Sequence, residues 1–148
     1  MKRFSFSLQR LLRFKEQLMD AERAILAEMN ALLFQYRQEL EALRADLAAR
    51  SEEFNQKVSV GMLPSEIAVH KSFIRLIETA IEQKIRQIEM QTQAIDKQTE
   101  KVRGLKIEIS SMEKLREKRL EEYNYQATKA EETFIEEYVS TSKAMAAN

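Results

Sequence analysis

Cysteine and tryptophan are absent from this 148-residue chain, which also has only one proline, two glycines and one histidine. Without cysteine there is no disulfide framework and no thiolate chemistry, which fits a reducing compartment, with the cytoplasm as the default. So little Gly and Pro alongside 32% charged residues does not describe a compact globule. A long, thin shape is expected. Long apolar runs are missing too: the richest stretch, residues 24 to 36, is broken by Glu28 and Asn30. It falls short of the 18 or so residues that a membrane span needs, so no direct membrane insertion is expected. The opening MKRFSFSLQRLL carries basic residues but no sustained apolar region and no small-residue cleavage site, and it reads as mature protein.

An excess of one charge is also lacking, since 24 basic residues meet 24 acidic ones. Bulk electrostatics therefore makes no general call on nucleic acid or anionic membrane. The distribution is uneven: Lys2, Arg3, Arg10, Arg13 and Lys15 open the chain without an acid, whereas residues 121 to 148 hold six acids against Lys129 and Lys143. Catalytic constellations are missing as well. His70 stands without a Cys or a cluster of carboxylates, and no Gly-rich loop could cradle a phosphate. Adjacent acids such as Glu52 with Glu53 point to different sides of a helix. No enzyme activity, metal or cofactor is expected.

What the chain does have is two ladders of large apolar residues stepping by seven. The first is Leu12, Met19, Leu26, Leu33, Leu40, Leu47 and Phe54; the second is Ile74, Ile81, Ile88, Ile95, Val102 and Ile109. A heptad repeat keeps one stripe of an under-wound helix facing a partner helix, which is the signature of a coiled coil. The only proline lies between the ladders, so the simplest partner is the chain itself. In an antiparallel pair, facing residues have a constant index sum, and Leu47 with Ile74 through Leu12 with Ile109 all sum to 121. A slip by one heptad, to 114 or 128, would keep most rungs.

The fold class that follows is all-α, a long antiparallel two-helix coiled-coil hairpin with an overhanging second helix, as one domain over residues 1–148. Helix one is expected over about 7–57, with Ser7 as its N-cap. The hairpin loop is expected over about 55–65, helix two over about 65–138 with Pro64 tolerated at its start, and a frayed tail over 140–148. The first helix should have a broad contact face, with Leu11, Leu18, Ile25 and Leu32 beside the ladder, drifting later toward Met29, Tyr36 and Leu43. Gly104 in mid-helix costs about 1 kcal/mol relative to Ala. It reads as simple tolerance, or as a bend or close backbone approach.

Two features exceed what a hairpin needs. Val69, Phe73, Leu76 and Ala80 form a second stripe that either widens the packing or stands exposed as a docking patch. Residues 101 to 119 are net basic but lack interleaved aromatics and contain acids, which argues against nucleic-acid binding and for a protein surface of complementary charge.

The FSFSLQRLL start, the segment GMLPSEIAVHKSFIRLIETAIEQK from Gly61 to Lys84 and MEKLREKRLEEY from Met112 to Tyr123 together resemble the flagellar FliJ family over nearly the whole chain. The resemblance implies a non-enzymatic antiparallel coiled coil of the flagellar type III export apparatus, similar to the stalk of rotary ATPases. It implies binding in the pore of the hexameric export ATPase, promotion of ring assembly, and a link to the cytoplasmic domain of the export gate and to export chaperones. Peripheral association at the cytoplasmic side of the membrane follows. Carried over by motif, the gate-binding patch comprises Leu43, Phe73, Ile77 and Ala80, joined by Leu76 from the stripe. Charged residues stand nearby at Asp46, Arg50 and Lys84, where relatives carry aromatic or imidazole groups. The ATPase-binding end comprises Arg10, Arg13, Lys15, Lys114, Arg116, Lys118 and Arg119. A generic coiled-coil scaffold or secretion chaperone is the rival reading, followed by a nucleic-acid-binding coiled coil.

Overall fold

A computed structural model describes residues 2–147 and contains two α-helices, α1 (Gln9–Val60) and α2 (Pro64–Ala147). No strand occurs among the described residues. The helices pack antiparallel against one another, so the fold is an all-α helical hairpin.

The breakers act more locally than their clustering suggests. Helix α1 runs through Val58, Ser59 and Val60, and the connection shrinks to Gly61, Met62 and Leu63. Nothing before Gly61 forces the helix to stop. At Gly61 the backbone turns left-handed (φ 118°), and its N–H donates to the Lys57 carbonyl at 3.0 Å, closing the last turn. Pro64 is the first residue of α2, where a missing N–H costs nothing, and Glu66 places its charge favourably in that first turn.

Ser7 is not the cap of α1. Its hydroxyl accepts from Arg119 at 3.0 Å, the turn ahead of α1 closes through Gln9 N–H to the Phe6 carbonyl, also at 3.0 Å, and Leu12 N–H donates to the Leu8 carbonyl at 2.8 Å as the helix begins. The far end also differs from expectation. Helix α2 passes Tyr138 and continues to Ala147, because Lys143, Ala144, Met145, Ala146 and Ala147 favour helix and no breaker intervenes. Asn148, the end of the expected frayed tail, lies outside the described residues, as does Met1.

The chain forms two compact units. Unit 2, Ala21–Val102, holds Leu26, Leu33, Leu40, Leu47 and Phe54 of α1 and Ile74, Ile81, Ile88, Ile95 and Val102 of α2, all buried or half-buried. Its cross-helix contacts decide the register. Gln91 reaches the Met29 carbonyl, an index sum of 120, and Lys84 pairs with Glu39, a sum of 123. These values bracket 121 and exclude both one-heptad slips.

Unit 1, Met1–Asp20 with Arg103–Asn148, is built around Phe6, Leu12 and Ile109, each no more than 7% exposed, with Phe4, Leu8, Met19, Met112 and Leu115 packed against them. Leu105 is buried in the same unit without belonging to either ladder. The segment ahead of α1 lies on α2: the Phe4 and Tyr123 rings sit 5.5 Å apart, and the Tyr123 hydroxyl donates to the Lys2 carbonyl at 2.6 Å. Residues 131–147 of α2 are exposed throughout, which is the overhang expected of the longer helix. A Cβ placed on Gly104 would meet nothing within 4 Å, so a close backbone approach is not why glycine stands there.

The broad face expected at the start of α1 is not fully covered. Leu11, Ile25 and Leu32 are exposed, whereas Leu18, Met29, Tyr36 and Leu43 are half-buried. Two helices bury only the stripe on their line of contact, and a flanking ladder needs a third element.

Candidate functional site

The candidate gate-binding residues of unit 2 divide by the side of the helix they occupy. Leu43, Ile77 and Ala80 are half-buried beside the seam, where Leu43 and Ile77 sum to 120 and so belong partly to the packing. Phe73 and Leu76 are 48% and 65% exposed and, with Ala68, Val69 and Ser72, line a shallow hollow on α2. Val69, Phe73 and Leu76 are thus exposed and do not widen the packing against α1. The nearby charges are locally engaged. Arg50 lies 5.5 Å over the Phe73 ring and pairs with Asp46 at 3.2 Å, while Lys84 reaches Glu39 and lies 4.9 Å over Tyr36. Val60 and Leu63, exposed at the turn, extend the apolar surface of this unit, and only their position at the turn marks them in the sequence.

The candidate ATPase-binding residues of unit 1 divide by partner. Lys15 pairs with Glu108 at 2.8 Å. Arg116 donates to Gln9 Oε1 at 3.2 Å and covers the Phe4 ring at 5.7 Å. Arg119 donates to Ser7 and covers Phe6 at 5.7 Å. These three cations hold the opening of the chain against α2. Arg10, Arg13, Lys114 and Lys118 are exposed and make no ion pair with any described residue. Their placement is not one that helix stability favours: Arg10 lies in the first turn of α1 against the positive end of the helix dipole, and Lys114 and Lys118 are like charges four apart.

One charged residue in the seam escapes a reading based on apolar spacing. Glu22 is only 7% exposed, and its carboxylate accepts from the Gln98 amide and from Lys101 Nζ, the latter at 2.9 Å. The Gln98 bond foremost, then Lys101, holds its carboxyl below the ordinary carboxylate range. A depressed acid stabilises the folded state at pH above its unfolded value and loses that contribution as pH falls through its folded one. Melting temperature should therefore fall on acidification through and below the usual Glu range of about 4.3. In Glu22→Gln that part of the fall should be missing, as thermal melts by circular dichroism at stepped pH will show; an unchanged slope would rule the linkage out.

No group of three or more His, Cys, Asp or Glu among the described residues could hold a metal ion, and no described helix is long and apolar enough to cross a membrane. The fold and its exposed surfaces thus define a helical hairpin whose free side chains suit protein contacts. The family profile described as Flagellar FliJ protein matches residues 4–144, and the chain belongs to that family, a non-enzymatic component of flagellar export. No curated protein and no solved structure matches it.

Proposed function

We propose that this chain is the adaptor of the export apparatus that binds in the pore of the hexameric export ATPase, promotes assembly of the ring and links it to the cytoplasmic domain of the export gate. The observation that carries this reading is the pair of exposed surfaces, one in each unit: the cations Arg10, Arg13, Lys114 and Lys118, and the apolar stripe Val69, Phe73 and Leu76, in which Phe73 stays half exposed beside Arg50. Family membership makes the export apparatus the setting. Cations without internal partners suit an acidic protein surface, and an aromatic flanked by aliphatic side chains suits a hot-spot contact. Docking on these partners would hold the protein peripherally at the cytoplasmic side of the membrane, and export chaperones are further candidates for its surface.

Phe73→Asp tests the apolar surface. The ring is half exposed and its neighbours are not core, so helicity and melting temperature should hold while affinity for the isolated gate domain falls about tenfold or more, the loss typical of an interface anchor. Titration calorimetry with the full chain checks this. Unchanged affinity removes Phe73 from the gate interface.

A further inference from the structure

Glu22 is the one buried charged side chain among the described residues. The stretch of seam around it is unusually polar: besides accepting from Gln98 and Lys101, Glu22 offers its backbone carbonyl to the same Gln98 amide at 3.0 Å, and one heptad away Gln91 donates to the Met29 carbonyl at 3.0 Å. Thr92 and Thr99 turn their hydroxyls back onto the Ile88 and Ile95 carbonyls of their own helix, which leaves Gln91, Gln98 and Lys101 as the cross-helix donors of this stretch.

The apolar rungs do not choose between registers. Slipped by one heptad, Leu26 exchanges Ile95 for Ile88 or Val102, and most other rungs fare similarly, although Leu12 meets Arg116 when the sum rises. The Lys84–Glu39 ion pair discriminates in one direction only: raising the index sum by a heptad brings Lys84 opposite Asp46, whereas lowering it brings Lys84 opposite Leu32. Glu22 does discriminate. Raising the sum sets it against Leu105 and Glu108, an apolar side chain and a like charge. The opposite slip sets it against Gln91 and Ala94, which removes the cation. A carboxylate taken out of water without its partner is costly, and a single buried polar group in an apolar seam is a recognised way to fix register.

We propose that Glu22, Gln98 and Lys101 form a register lock, a polar layer with the Glu22 carboxylate buried in the seam and Lys101 at its exposed edge, that holds the two helices in one heptad alignment which their apolar ladders alone would not select. The layer acts by making the slipped alignments unfavourable. It does not depend on the export reading, and a free chain without any partner should show it.

The absence of native cysteine makes the test direct. Leu47→Cys with Ile74→Cys reports the observed alignment under mild oxidation, whereas Leu47→Cys with Ile81→Cys or with Ile67→Cys reports the two slips. In the full chain with Glu22 intact, only the first pair should close efficiently. Adding Glu22→Leu should raise the yield of at least one slipped pair by about fivefold or more, with helicity by circular dichroism retained. Unchanged slipped yields in a helical Glu22→Leu chain overturn the proposal. Should that variant lose helicity, a charge swap decides: Lys101→Glu alone should raise the Leu47–Ile67 cysteine pair, the slip that moves residue 101 away from Glu22, and Glu22→Lys combined with Lys101→Glu should lower that pair again. Indistinguishable patterns in the single and the swapped chain overturn it equally.

Discussion

Ile109→Ala is expected to destabilise the protein by about 2 to 5 kcal/mol, the range for emptying a well-packed aliphatic site that cannot collapse. Ile109 is 5% exposed and forms the centre of unit 1 with Phe6 and Leu12, so its loss leaves a void bounded by α1, by α2 and by the segment ahead of α1. That segment has no helical hydrogen bonds of its own to fall back on. It should therefore detach first, and limited proteolysis should cut near residues 4 to 8 faster than in the native chain. Guanidinium denaturation supplies the free energy. A loss under about 0.5 kcal/mol, ordinary for a surface substitution, would mean that the cluster does not hold unit 1 together.

The second large effect concerns ATPase stimulation. Lys114→Glu combined with Lys118→Glu should reduce the chain's enhancement of export-ATPase ring assembly and turnover by about tenfold or more, because two reversals turn attraction into repulsion at the proposed interface. Melting temperature should stay close to native, since neither side chain has an internal ion pair. The equivalent reversal of Arg116 and Arg119 should behave differently and lower stability as well. Those guanidiniums pin Gln9, Ser7 and the rings of Phe4 and Phe6, so reversing them frees the opening of the chain whatever they do for a partner. Turnover assays with purified ATPase, run beside thermal melts of both double variants, separate binding charge from structural charge. Full stimulation by the lysine pair would remove these residues from the interface.

The contrast between those arginines and lysines shows where a linear reading stops. All seven candidate cations look alike in the sequence, and only the fold of the segment ahead of α1 onto α2 commits Arg116 and Arg119. Phe4 and Phe6 are visible as aromatics, but nothing in their spacing says that guanidiniums will cover them. The apolar stripe followed the same course: spacing marked Val69, Phe73, Leu76 and Ala80 together, and packing then took Ala80 toward the seam and left the other three exposed. Helix ends were the least legible. Residues 55 to 60 contain no true breaker, and the helix runs until Gly61 supplies a backbone conformation that other residues resist.

Glu22 marks a different limit. A search for hydrophobic periodicity treats an acid as an exposed position, whereas here Gln98 and Lys101 satisfy the carboxylate across the seam. Its burial is a property of the pair of helices.

By itself the sequence determined that this protein is a helical hairpin, because a seven-residue apolar repeat on both sides of a single Pro-containing break satisfies itself most simply by folding back. It also determined the family. Only the tertiary structure decided which alignment the ladders take, which cations are consumed internally and which apolar side chains remain uncovered. The reason is that heptads are degenerate under a shift of seven, and local chemistry cannot tell a charge that meets a partner across the seam from one that meets water.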